Sequence, residues 1–102
     1  MPRVSFAMTW HLYVSRTVTG ALYAGITTNV ARRYKEHVAG GRKAARFLRA
    51  SPPRELAFKR RVGSRALALK VEYWFKQLPK KRKEAIVRTG QLRFDRVSGK
   101  IQ

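Results

Sequence analysis

Five side chains in this sequence have the types and the order needed to cut a phosphodiester with the help of a metal ion. Tyr13 lies in Leu12-Tyr13-Val14 and Tyr23 in Tyr23-Ala24-Gly25, ten residues on. Arg33 follows after another ten, His37 after four more, and Glu72 stands alone in a basic segment far downstream. A phenol can orient or deprotonate a water, although its ordinary pKa of about 10 makes it a poor base until a nearby cation favours the phenolate. A guanidinium can clamp the scissile phosphate and offset the charge that grows in the pentavalent transition state. One helical turn from Arg33, the His37 imidazole can bond a phosphate oxygen or relay a proton. A lone carboxylate suits Mg²⁺, or Mn²⁺ in its place, because Mg²⁺ keeps several waters and is often held by one or two carboxylates plus substrate phosphates. Bound there, the metal would act as a Lewis acid on the phosphate and help the leaving 3′ oxygen.

Each of these residues also has an ordinary reading. Tyrosines favour strands, arginines are commonly solvated, and Glu72 has Lys76 four residues on, the spacing of a weak surface ion pair. Yet Glu72 is the only acid between Glu55 and Glu84, in a chain with five acids in all.

The charge balance says what such a site would act on. Lysine and arginine number 24 against those five acids, a formal charge of +19 in 102 residues. A body so cationic repels itself and calls for a polyanion. Nucleic acid fits, because neutralising phosphates releases counterions and gives strong, salt-sensitive binding. A membrane does not fit, since no apolar run approaches the ~18 residues of a span. An apolar fraction of 44% argues for a folded domain rather than disorder. With no cysteine, disulfides and thiolate metal sites are excluded. The first residues carry no sustained apolar run of the secretory type, so the expected location is cytoplasmic, at the nucleoid.

The basic residues fall in clusters that read as a substrate track. Arg32 and Lys35 flank Arg33; Arg42, Lys43, Arg46 and Arg49 follow; Lys59-Arg60-Arg61, Lys76 and Lys80-Lys81-Arg82-Lys83 come later. Contacts of this kind position a backbone without reading sequence. Phe47, Tyr73 and Trp74 are candidates to stack on bases, with Trp74 better suited to the core.

The elements that must position these groups are legible from periodicity. Residues 9–16 alternate, with Trp10, Leu12 and Val14 on one face and His11, Tyr13 and Ser15 on the other. Residues 21–28 alternate again, and Thr17-Val18-Thr19-Gly20 between them reads as a hairpin turn. A three-residue loop would set Tyr13 opposite Tyr23, both on the same polar face. A helix starts after Thr28 or Asn29, with Val30, Tyr34 and Val38 as its apolar stripe and Arg33 and His37 along one edge; Gly40-Gly41 ends it. Residues 42–50 form a short basic helix or turn, and 54–62 a third strand. Ser64 caps a long helix over 65–78, with Leu67, Val71, Trp74, Phe75 and Leu78 on one face. Pro79 breaks it, a further helix spans 80–89, and the tail from Gln91 tucks in Leu92 and Phe94 before fraying at Ser98-Gly99-Lys100. The expected organisation is an extension over 1–8, one domain over 9–90 and a tail over 91–102.

These motifs resemble the GIY-YIG nuclease family. The resemblance rests on Leu12-Tyr13-Val14, Tyr23-Ala24-Gly25, the continuation through Asn29 to His37, and the segment Ala66–Leu78 around Glu72, and so spans roughly residues 9–88. It is strongest toward the small stand-alone bacterial members of the YhbQ type. His11 stands where the family's first glycine would be, Ala24 replaces the isoleucine of the second motif, and a late asparagine common in the family is absent. The resemblance implies an α+β fold, a small, mainly antiparallel three-stranded sheet flanked by helices. It implies a metal-dependent endonuclease acting on DNA, structure- or damage-directed rather than sequence-specific, leaving 5′-phosphate and 3′-hydroxyl ends. Tyr13, Tyr23, Arg33, His37 and Glu72 would be catalytic, with Glu72 the metal ligand and either tyrosine the base. RNA as substrate, a homodimer and a protein partner stay open. The alternative is a non-catalytic DNA- or RNA-binding module that keeps the fold.

Overall fold

The computed structural model describes residues 8–102, so the expected N-terminal extension lies outside the described residues but for Met8. The elements are β1 (Trp10–Thr17), β2 (Leu22–Thr27), α1 (Val30–Ala39), α2 (Arg46–Ala50), β3 (Pro53–Gly63), α3 (Arg65–Gln77) and α4 (Lys80–Thr89). The strands form one antiparallel sheet in the order β2-β1-β3, which is the expected α+β architecture.

The hairpin register differs from the expected one. Strand β1 runs one residue further, through Thr17, whose N–H donates to the Ala21 carbonyl at 2.9 Å. The buried Thr17 hydroxyl accepts a bond from the Ala21 N–H at 3.2 Å and so favours the longer strand. The turn becomes Val18-Thr19-Gly20, with Gly20 at φ 86°, in the left-handed region that glycine enters without strain. Tyr13 therefore pairs with Gly25, and Tyr23 pairs with Ser15. The two tyrosines share a face, as expected, but they do not oppose each other.

The other face of the sheet makes the core. Leu12, Val14, Ala24, Phe58 and Val62 pack against Ala68, Val71 and Phe75 of α3 and Ile86 of α4. Burying one such side chain as large as Phe75 stabilises the fold by roughly 1.5–3 kcal/mol. Arg16 joins β1 to α4 through a two-pronged pair with Glu84, at 2.7 and 3.0 Å. Asn29 and Ser64 cap α1 and α3 by accepting N–H bonds from Arg32 and Leu67.

Two further expectations are corrected. On α1 the side turned to the protein is that of His37, fully buried, while Val38 is 56% exposed. The apolar stripe yields because both ring nitrogens of His37 find partners, which offsets the desolvation of the imidazole. The tail does not fray either. Phe94 and Ile101 form a bridge, and Asp95 accepts N–H bonds from Val97 and Ser98 at 2.8 and 2.7 Å. Gly99 lies so close to α3 that a Cβ there would stand 2.8 Å from the Lys70 carbonyl carbon. No helix among the described residues is long and apolar enough to cross a membrane.

Candidate active site

Tyr13 projects from the central strand under α1, and its position depends on the residue across the ladder. A Cβ on Gly25 would stand 2.6 Å from Tyr13 Cζ, so only glycine leaves room for the ring. With that ring seated, the Tyr13 hydroxyl lies 2.9 Å from His37 Nε2. At the far side of the imidazole, the Ala45 N–H donates to His37 Nδ1 at 3.2 Å. Nδ1 is thus an acceptor, and in the neutral ring the proton sits on Nε2. His37 Nε2–H then donates to the Tyr13 oxygen, which leaves the phenol's own proton for another partner.

Tyr23 completes an aromatic cluster. Its ring meets His37 edge-on, with centroids 5.9 Å apart, and lies nearly parallel to Phe47 of α2 at 5.8 Å. Arg33, one turn before His37, is held by Glu36 at 2.8 Å and by the Lys43 carbonyl. Both contacts use Nη1, and the guanidinium charge also reaches the Tyr13 phenol and the His37 ring.

The titration behaviour follows from this crowding. Burial, and after it the neighbouring Tyr23, push the Tyr13 phenol up to about 12; Arg33 pulls it part of the way back, and Glu72 adds to the rise. Burial, then the Arg33 charge, hold the His37 imidazole below its ordinary value, with Glu36 opposing. At neutral pH the free protein therefore carries a protonated phenol and a neutral imidazole.

Glu72 approaches from α3, close enough for its charge to be felt at Tyr13. Its side chain is 19% exposed, and Oε2 pairs with Lys76 at 3.2 Å, as the i, i+4 spacing allows. Among the described residues, no three His, Cys, Asp or Glu side chains group as a metal cage. A single carboxylate at the margin of the cluster, near enough for its charge to reach Tyr13, suits a hard cation that keeps its waters and completes its shell with substrate oxygens.

Of the residues singled out in the sequence, Tyr13, Tyr23, Arg33 and His37 are brought into one cluster, with Glu72 at its margin. Arg32, Lys35, Arg42, Lys43, Arg46, Arg49 and Lys81 are exposed on α1, the following loop, α2 and α4. Lys76 is held by Glu72, and Lys80 by Glu84 and the Gly20 carbonyl. Tyr73 is 57% exposed, while the Trp74 ring lies edge-on to Tyr73 and under Lys100. Ala24 is a core residue, and His11 lines a hollow beside Asn29, Lys59 and Arg61. Sequence reasoning missed the Ala45 N–H, a backbone contact with no residue-type signal. It also missed Glu36, whose i, i+3 spacing from Arg33 was a usable one.

Residues 9–85 match the GIY-YIG catalytic domain. A UPF0213 protein of Citrobacter koseri is 51% identical over 82 residues, covering 80% of each chain. The UPF0213 protein YhbQ of Salmonella arizonae is 48% identical over 93 residues, covering 91% of this chain and 90% of its own. YhbQ of Salmonella typhimurium is 53% identical over 78 residues, 76% of each. No solved structure matches the chain. The motifs, the sheet that carries them and these relatives agree that the chain belongs to the GIY-YIG family, as a YhbQ-like member.

Proposed function

We propose that the protein is a metal-dependent endonuclease that hydrolyses DNA, directed by structure or damage rather than by sequence. The observation that carries this reading is the Tyr13–His37–Ala45 chain of hydrogen bonds. It sets an N–H donor against the phenol oxygen, a contact that favours the phenolate against the burial that raises the Tyr13 pKa, and it satisfies the buried imidazole at the same time. Membership of the GIY-YIG family supports nuclease chemistry, and the +19 charge supports a nucleic-acid substrate.

In this reading Tyr13 first loses its own proton to solvent, the phenolate so formed takes the proton of the attacking water, and His37 steadies that phenolate through Nε2–H. Arg33 clamps the phosphate with its guanidinium and offsets charge as the pentavalent state forms. Tyr23 orients the water or the phosphate from beside His37. A divalent cation such as Mg²⁺ or Mn²⁺, held by Glu72, would supply Lewis-acid stabilisation of the phosphate and the leaving 3′ oxygen. The products are 5′-phosphate and 3′-hydroxyl ends. The basic residues of α1, α2 and the loop between them hold the backbone on either side.

One observation favours the alternative of a non-catalytic binding module: the carboxylate that should hold the metal is paired with Lys76. An i, i+4 pair on a helix contributes only ~0.3–0.5 kcal/mol, little against the charge of a divalent ion. The test is to incubate the purified protein with labelled duplex, single-stranded and branched DNA, and with RNA, in Mg²⁺, Mn²⁺ or EDTA. Cleavage of DNA that EDTA and Tyr13→Phe both abolish is expected. Tight binding with no cleavage under any metal would overturn the proposal in favour of the binding module.

A further inference from the structure

Beside the catalytic cluster is a cleft that the proposed chemistry leaves unused. It lies between β2, α2, α3 and α4 and has a volume of about 270 Å³. Leu22, Ala24 and Phe75 supply apolar surface, Tyr23 and Phe47 supply aromatic surface, and Lys76 and Lys83 are its charged residues. Phe47 is 48% exposed, so a large aromatic face is left in water beside the site instead of being folded into the core. Its ring is stacked on Tyr23, with the planes within 10° of parallel and the centroids 5.8 Å apart, so one face of Phe47 is backed by Tyr23.

The composition narrows the occupant. No acid lines the cleft, and both of its charged residues are lysines, so it suits an apolar planar group attached to anionic neighbours. Its volume falls just below the usual range for small-molecule pockets, roughly 300–1,000 Å³, which suits one heterocycle and is too small for a peptide helix. A nucleobase meets each condition: every base has a face that stacks on an aromatic ring, and a phosphate on either side for a lysine. Tyr23 is shared, since the same ring that walls the cleft sets its edge on His37. Occupant and scissile phosphate are therefore neighbours.

We infer that this cleft is a subsite for one unpaired nucleobase next to the scissile phosphate, stacked on Phe47, with Lys83 on a flanking phosphate. A base inside a duplex is covered on both faces and cannot enter, so the subsite admits only a base already out of the stack. Its position relative to cleavage rests on the nuclease reading; the binding of a base does not.

The test reads binding in EDTA, where no cleavage is expected. The probe is a short single-stranded oligonucleotide carrying 2-aminopurine, whose fluorescence is quenched on stacking, together with the same strand made abasic at that position. Wild type is expected to quench the probe and to bind the base-bearing strand about tenfold more tightly than the abasic one. Phe47→Ala should lose the quenching and that preference while binding the abasic strand as wild type does; Phe47→Trp should keep both. Lys83→Gln should keep the quenching and lower the salt slope by about 0.7. Quenching unchanged in Phe47→Ala, or equal weakening of both strands, would overturn the subsite. A protein that quenches through Phe47 yet cuts nothing in Mg²⁺ would keep the subsite and refute the nuclease. One that cuts without any Phe47 effect would do the reverse.

Discussion

Removing the hydroxyl of Tyr13 tests the centre of the mechanism, and its effects can be worked out in advance. With a pKa of about 12 in the free protein, the phenol at pH 8 is ionised to about one part in ten thousand. Reaching the phenolate then costs about 5 kcal/mol, at ~1.36 kcal/mol per pH unit. If Tyr13 is the base, kcat/KM should climb close to tenfold per pH unit above pH 7, where His37 is already neutral. The climb should break at the pKa of the phenol in the free, metal-loaded enzyme, and the distance of that break below 12 measures how far the cation favours the phenolate. Tyr13→Phe should cut the rate by about 10²–10⁴-fold, the usual worth of a general base, and flatten the climb. It should also leave the His37 Nε2–H buried without an acceptor, a loss of about 1–3 kcal/mol. For a domain of this size that lowers Tm by about 4–8 °C per kcal/mol, so cleavage must be measured well below the variant's Tm. The assay is cleavage of a labelled oligonucleotide across pH, with thermal denaturation alongside. A Tyr13→Phe protein that cuts at the wild-type rate, or that keeps the same pH slope, refutes the role of Tyr13 as base.

Gly25→Ala should destabilise the fold by about 1–3 kcal/mol and abolish most cleavage, because the added methyl displaces the Tyr13 ring. Gly20→Ala, strained in backbone but with open space around it, should cost about 1–2 kcal/mol and leave cleavage intact; denaturation and cleavage assays on the pair separate the two effects. His37 has a folded pKa below its unfolded value of about 6.5, so the unfolded chain binds the extra proton first as pH falls. Stability held above pH 6.5 should therefore decline below it until the folded imidazole is itself protonated, and His37→Gln should remove that part of the decline in urea titrations. Glu72→Ala should stop cleavage and leave DNA binding equal or slightly tighter, with stability changed by well under ~1 kcal/mol; full Mg²⁺-dependent cutting would remove Glu72 from the metal site. DNA affinity should fall steeply with salt and vary little with sequence, as fluorescence anisotropy across a salt series would show.

How much of this was legible in the sequence depends on the range over which each residue acts. The helix caps at Asn29 and Ser64, the stops at Gly40 and Gly90 and the third strand are local, and their side chains or glycines announce them. The hairpin register was not legible, because it turned on whether Thr17 closed the strand or opened the turn. A one-residue extension of the strand at that hydroxyl shifts every cross-strand pair. The face of α1 was misread for a related reason. Apolar periodicity marks Val38 as buried, but it cannot know that a phenol two strands away and a backbone N–H eight residues on will satisfy both nitrogens of His37. The five functional residue types and their order were readable, whereas their mutual contacts were not. Those contacts join positions 13, 37 and 45, which no periodicity links.

That last contact has a consequence for where the site ends. An imidazole with no exposed surface is tolerable only while both nitrogens are paired, and of its two partners it is the Ala45 N–H, which can only donate, that fixes the tautomer. Ala45 is the N-cap residue of α2, the same short helix that carries Phe47 onto Tyr23. The loop from Gly40 to Ala45 thus fixes two things at once: the proton on the nitrogen facing Tyr13 and the aromatic wall of the neighbouring cleft. A change that moves α2 would alter both the Tyr13–His37 contact and the Phe47 wall of the cleft. The departures at His11 and Ala24 lie outside this linkage: one lines a separate hollow and the other sits in the core. Substitution is tolerated at motif positions that only pack. It should not be tolerated at Gly25, whose missing side chain is what lets Tyr13 reach His37.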